Sequence, residues 1–370
     1  MSDKLIFTVM LGIAVIGAYL GIAGVSSVLG ASFDVGDLAP SLSSGASIGA
    51  GGGLLASAAS VIGGASSYEA SRFLISFDSL KNVHQATIST QEGGLRIYDV
   101  DVATYTAPET IIISTNKGLY YSNNTGLTWH VVTSAKGELT ENSVVLRVIP
   151  AEHNSYIISV FQDGVGSVYY TQDMFKTMKR LVYFNDEGIY DMALYGNTLY
   201  LGMSNGQLIQ YNRTKETFTV VRTFPSPVVR FYDNGDGFFY AFLKSGTLMQ
   251  AVGPMGDFNK IKVGGGWFSS GTIRNVGFAS SGDIYVLGKE GIYKSENYGV
   301  TFDLIDNIPL LKKQIDALAV LGNTVYVISD GRMYVSSDSG KSWKLQDNIP
   351  LDFMVNQFYF LGGGRVILSE

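Results

Sequence analysis

From Arg72 to the C-terminus the chain alternates short apolar, β-rich runs with clusters of Gly, Asn, Asp and Ser. One unit recurs: an apolar strand, a turn, a second apolar strand, a turn, and a short strand closing on Ser, Thr or a neighbouring polar residue. TIIISTNKGLYYS, SYIISVFQDGVGSVYYT, NTLYLGMSNGQLIQY, GFFYAFLKSGTLMQAV, GDIYVLGKEGIYKS and NTVYVISDGRMYVS are six such passages. Their markers Ser122, Thr171, Gln210, Gln250, Ser295 and Ser336 are 39 to 49 residues apart, the spacing of one four-stranded propeller blade. The ends supply fragments of another. MVNQFYF and GRVILSE form two strands at the C-terminus, and RFLISFDSLKNVHQATI at the start of the domain has the spacing of a third and fourth strand. Joining them closes a ring and removes exposed sheet edges. The pattern therefore predicts an all-β, seven-bladed β-propeller over residues 71–370, closed by its two ends in one blade; six blades is the alternative.

Upstream the pattern changes twice. Leu5 to Leu29 carries no charge and no polar face, and it is long enough to cross a bilayer as a helix. Residues 1–30 are read as an N-terminal transmembrane anchor. A cleaved signal peptide competes, but its apolar region is usually shorter and ends in a small-x-small site, whereas Leu29 stands two residues before Ala31. Lys4 is the one positive side chain before the span, which places the propeller outside the cytoplasm at the cell membrane, on a single-pass protein. Gly17 and Gly21 form a GxxxG spacing, read either as a weak homodimer contact in the membrane or as ordinary glycine. Residues 31–70 are Gly/Ala/Ser-rich and read as a flexible linker; a second membrane segment within residues 44–66 would reverse the topology.

Three turns between third and fourth strands share a motif: SNNTGLTW (Ser122–Trp129), SENYGVTF (Ser295–Phe302) and SSDSGKSW (Ser336–Trp343). S-x-[DN]-x-G-x-[ST]-[WF] resembles the Asp-box, or BNR, repeat of sialidases, sortilin-type propellers and photosystem II assembly factors. TQDMFKTM (Thr171–Met178) looks like a decayed copy without the glycine, and the third and fourth units lack the motif. The residues suit a structural turn. Gly126, Gly299 and Gly340 supply positive φ, and Asn124, Asn297 and Asp338 accept hydrogen bonds from turn amides. Trp129, Phe302 and Trp343 pack inward at the start of the next strand. One carboxylate per turn, and none in the Asn copies, is a poor calcium ligand set.

Candidate binding chemistry lies instead in the first strand of each unit, which lines a propeller's channel. Aligning LRIY, LRVI, YDMA, VRFY, IRNV, IDAL and VNQF places Arg96, Arg147, Asp191, Arg230, Arg274, Asp316 and Asn356 in one ring. Arginine forks suit carboxylate or phosphate groups, so the ring is either an anion- or peptide-terminus-binding mouth or a set of Arg–Asp pairs around a water-filled channel. LRIY resembles the sialidase arginine motif, yet these strands hold no Glu to activate a Tyr and no placed general acid. Sialidase-like hydrolysis is therefore the minor alternative, and a purely structural surface protein the third.

Bulk composition narrows the partners. The 370-residue chain is 46% hydrophobic and 16% charged, with net charge −6, which argues against a nucleic-acid binder. Absent cysteine excludes disulfides and thiolate metal sites. His84, His130 and His153 have no metal-ligand spacing, so no metal or cofactor is expected. DNGDG (Asp233–Gly237) reads as a turn, and Asn123 and Asn212 match glycosylation sequons. The sum of these features is a membrane-tethered, non-catalytic binding module or assembly scaffold for a protein or peptide, with a glycan as the other ligand class. The photosystem-assembly resemblance implies a chaperone-like or scaffold variant of it.

Overall fold

The computed structural model describes residues 68–369, apart from 92–93, 104–109, 152–154, 234–236, 265–271, 310–314, 330, 348–354, 356 and 361–364. The anchor expected over 1–30, nearly all of the linker, His153 and Asn356 lie outside the described residues. Among the described residues no helix is long and apolar enough to cross a membrane.

Seven four-stranded antiparallel sheets form a seven-bladed β-propeller. Blade one comprises Ile97–Ala103, Thr110–Thr115, Gly118–Ser122 and His130–Val132. Blades two to six begin at Val144, Ile189, Val228, Asn275 and Ala317. Blade seven joins the chain ends, in the order Gln357–Phe360, Val366–Ser369, Tyr68–Ser76 and His84–Gln91. Phe73 pairs with Ser369 and Ser76 with Val366. The third strand of that blade starts at Tyr68, three residues before the domain boundary read from the sequence.

Central strands are buried on both faces because each blade is packed between two others; Thr110–Thr115 is buried throughout. Among the described residues seven apolar clusters sit one at each blade–blade junction. Leu74 and Leu368 meet Ala317 and Ile328 between blades six and seven, and Phe73 and Ile367 meet Ile111 and Ile113 between seven and one. Each buried Leu, Ile or Phe contributes roughly 1.5–3 kcal/mol by leaving water. That gain requires the neighbouring blade, so no single blade has a finished core.

The recurring turn has one hydrogen-bond pattern. In blade six, Ser336 Oγ accepts from Gly340 N at 2.8 Å and donates to Asp338 Oδ1 at 2.8 Å, while Asp338 Oδ1 accepts from Ser342 N at 2.8 Å. Ser122/Asn124 and Ser295/Asn297 repeat it, with Gly126 N and Gly299 N each 2.8 Å from the serine. Two further copies lack the glycine. In TQDMFKTM, Thr171 Oγ1 accepts from Phe175 N at 3.1 Å and Asp173 Oδ1 from Thr177 N at 2.9 Å. In blade seven, Ser76 Oγ accepts from Leu80 N at 2.9 Å and Asp78 Oδ1 from Asn82 N at 2.8 Å, a copy the sequence motif did not reveal.

Phe175 and Leu80 hold φ of 65° and 66° where Gly126, Gly299 and Gly340 hold 82°, 85° and 87°. A left-handed non-glycine residue costs about 1–2 kcal/mol, which burial of these two fully enclosed side chains offsets. At the glycine copies the space is taken by an isoleucine: an added Cβ would lie 3.1, 2.9 and 3.0 Å from Cδ1 of Ile75, Ile261 and Ile305. The aromatics after the turns pack between blades, with Trp129 against Phe73 at 5.3 Å and Phe302 buried among blade-four and blade-five residues.

Removing the buried Ser336 hydroxyl strands the Gly340 amide, so Ser336→Ala is expected to lower unfolding stability by about 1–3 kcal/mol in urea titration. Hydrogen bonds from the Ser342 hydroxyl and amide and from Ser336 pull Asp338 down to about 2. A carboxylate depressed in the folded state stabilises fully above its ordinary value of 3.8 and loses that contribution as pH falls toward about 2. Asp338→Asn, which installs the residue used in blades one and five, is expected to leave the urea midpoint near pH 7 little changed. It should flatten the decline between pH 4 and 2; an unchanged acid slope would contradict the assignment.

Candidate functional site: the central channel

Strand pairing sets which residues form one tier of the channel. In each blade, one residue of the second strand faces the turn serine or its equivalent, which in blades three and four is Tyr211 and Ala251, one residue past Gln210 and Gln250: Ile111, Tyr156, Leu199, Phe239, Ile284, Val325 and Val366. Three positions further along, the second strand pairs with Asp99, Arg147, Asp191, Arg230, Asn275, Ala317 and Gln357. These seven share a register. Of the residues aligned from the sequence, Arg147, Asp191 and Arg230 stand in this register, whereas Arg96, Arg274 and Asp316 do not.

Arg96 is exposed and precedes the first strand of blade one; Asp99 holds its expected place. Arg274 and Asp316 stand one residue early, at the position occupied by Tyr98, Leu146, Tyr190 and Val229. In blades one to four those four residues are β-bulges between Ile97/Asp99, Val145/Arg147, Ile189/Asp191 and Val228/Arg230. A bulge inserts a residue and re-aims the next side chain, so local sequence similarity could not fix the register. In blade seven Gln357 takes the position assigned to Asn356.

The tier is electrostatically closed on one side. Arg147 bridges blades one and three, in contact with Asp99 through Nη1 and 2.8 Å from Asp191 Oδ1 through Nε. The Nε contact is an ion pair by proximity rather than an aligned hydrogen bond. Arg230 Nη1 lies 3.7 Å from Asp99 Oδ1, and its Nη2 donates to the Tyr98 carbonyl at 3.4 Å. The carboxylates also take backbone donors, Val148 N to Asp99 at 3.3 Å and Phe231 N to Asp191 at 2.5 Å. Asp99 and Asp191 are 5% and 1% exposed, so both anions depend on these partners. Burial pulls the Arg230 guanidinium down, but Asp191 and Asp99 together hold it above its ordinary value.

The other side is uncharged. A cavity of about 530 Å³ runs between the two sides, lined by Asp99, Arg147 and Arg230 on one and by Asn275, Phe278 and Phe360 on the other, a volume typical of small-ligand or side-chain sites. Tyr359 Oη donates to Ile97 O at 2.8 Å, tying blade seven to blade one. Burial pushes the Tyr232 phenol up to about 12, so it stays a neutral donor near neutral pH. Arg274 spends its fork on the carbonyls of Ile315 at 3.0 Å and Gly288 at 3.3 Å, outside the cavity lining. No three metal-ligating side chains cluster among the described residues.

No protein-family model and no curated protein matches the chain. Solved structures do. YCF48 from Cyanidioschyzon merolae is 14% identical with a TM-score of 0.58, over 74% of this chain and 95% of that one. YCF48 bound to D1 peptide is 13% identical with a TM-score of 0.56, over 74% and 92%. The extracellular domain of BT4673 from B. thetaiotaomicron is 15% identical with a TM-score of 0.54, over 74% of this chain but 37% of that one. At such identities the likeness shows the β-propeller fold and nothing finer.

Truncating Arg147 leaves two buried carboxylates without their bridge. Arg147→Ala is expected to cost about 3–5 kcal/mol in urea unfolding, whereas Arg96→Ala, at an exposed site off the tier, should stay within about 0.5 kcal/mol. Equal effects of the two would return Arg96 to the ring.

Proposed function

We infer that the chain is a non-catalytic β-propeller that binds a protein or peptide, as an assembly module tethered at the extracytoplasmic face of a membrane. The observation that carries this reading is the state of the channel carboxylates. Asp99 and Asp191 are buried and engaged by Arg147, Arg230 and backbone amides. A glycosidase needs one carboxylic acid and one carboxylate or equivalent nucleophile presented to the sugar, and these two groups are committed to each other's arginines. What the channel offers is recognition: half-buried aromatic and aliphatic walls, the Gln357 amide and the outer part of Arg230. A neighbour of the same fold is described as bound to a peptide, which agrees with this reading without deciding it. The uncharged stretch Leu5–Leu29 and the Gly/Ala/Ser-rich segment after it support the tether.

Photo-crosslinking in native membranes tests both parts. A benzophenone amino acid at Tyr98 or Tyr190, both on the cavity wall, is expected to join one partner, and that product should disappear when Gln357 and Phe360 are replaced by Ala. Adducts found only from exposed sites such as Leu127, with none from the channel, would sink the channel reading. Protease added to intact cells should remove the propeller; protection would reverse the topology.

A further inference from the structure

Among the described residues the outer strand of every blade has an edge with no neighbouring strand, and in blades one, four, five and six that edge is short. His130–Val132, Asn259–Lys260, Asp303–Leu304 and Lys344–Gln346 span two or three residues each. Blade three departs from this. Its outer strand Thr217–Thr223 has seven residues, and from Thr217 to Val221 none is charged. Phe218 and Val220 on it are 51% and 49% exposed. Blade two also has a seven-residue outer strand, but Lys179 and Arg180 open it, and the blade-seven strand HQATISTQ is polar. A long, uncharged edge bearing apolar side chains is what folded proteins ordinarily avoid, because it templates the addition of another strand.

The surroundings indicate which strand would be added. Phe218 meets Phe184 of blade two edge-on at 5.3 Å, so the two rims present a continuous apolar face beside this edge. Lys179 reaches Glu216 across the same gap at 2.8 Å. These two rims carry Lys176, Lys179, Arg180, Arg213 and Lys215 in a chain whose net charge is −6, with Arg180 over the Tyr183 ring at 4.6 Å and Arg213 over the Tyr170 ring at 5.3 Å. The nearby carboxylates are occupied, Glu216 by Lys179 and Asp173 by the amide and hydroxyl of Thr177 at 2.9 and 2.7 Å. Arg222 is turned away to blade four, donating to Gly256 O at 3.1 Å, because the ladder slips between Leu208 and Ile209. The regular, available edge is therefore Thr217–Val220, basic at its Lys215 end.

We propose that this edge of blade three is a second interaction surface, which takes an extended acidic segment of a partner protein as a fifth strand. Backbone pairing with Thr217–Val220 supplies the attachment. On the face toward blade two the segment's alternate apolar side chains lie over Phe218 and Val220, and its acidic end lies beside Lys215. The surface is separate from the channel and stands whether or not the channel binds a partner.

The probe is a fluorescent nine-residue peptide, with Val and Thr alternating over its five central residues and two Glu at each end, titrated by anisotropy into the full chain in detergent. Its Lys-for-Glu counterpart and a copy N-methylated at alternate amides along one edge are the controls. The acidic peptide is expected to bind, and to lose at least tenfold in affinity on N-methylation and in the Phe218→Ser/Val220→Ser variant. Both replaced side chains are half-exposed, so the melting temperature should hold. Raising salt should weaken binding, and the Lys peptide should not bind. Absent binding, equal binding of the Lys peptide, or indifference to N-methylation overturns the proposal. So does a concentration-dependent dimer in sedimentation velocity that the double variant abolishes, since the edge would then belong to a second copy of this chain.

Discussion

Everything in this molecule depends on burial shared between blades. A four-stranded sheet with apolar residues on both faces has no stable surface of its own, and each of the seven apolar clusters draws on two blades. Conformational entropy opposes ordering at every residue, so the last junction matters as much as the first. Pairing of Phe73–Ser76 with Val366–Ser369 completes the ring and places the first and last described strands in one cooperative unit.

Closure also explains the polar tier. Seven first strands converge on one axis, and their side chains are forced together whatever their charge. Two aspartates and two arginines alternate over blades one to four, while Asn275, Ala317 and Gln357 complete the circle without charge. The bulges in the first four blades fall one residue before the charged positions, which links backbone irregularity to the place where buried charge must find its partner. The channel is thus two-sided, an ion-paired arc facing an aromatic one.

Much of this was legible from residues alone. Blade spacing, the count of seven and the shared terminal blade follow from strand periodicity and from the turn serines. The turn chemistry was readable wherever Gly126, Gly299 or Gly340 announced it. Where Leu80 and Phe175 adopt the same left-handed backbone, the motif was decayed or invisible, because the stabilising term is burial against another blade rather than a local preference. The ring was legible in part: Arg147, Asp191 and Arg230 share one register, while LRIY resembles LRVI yet its arginine stands three residues before Asp99, the residue in that register.

The division has one physical cause. Strand content, turn positions and apolar patterning are set by neighbours a few residues apart, and the sequence by itself determined them. Which side chains share a tier depends on pairing between strands and on single-residue bulges, and only the assembled ring decided those. For that reason the arginine nearest the start of blade one, Arg96, faces solvent, and the residue three places later, Asp99, anchors the channel's charge.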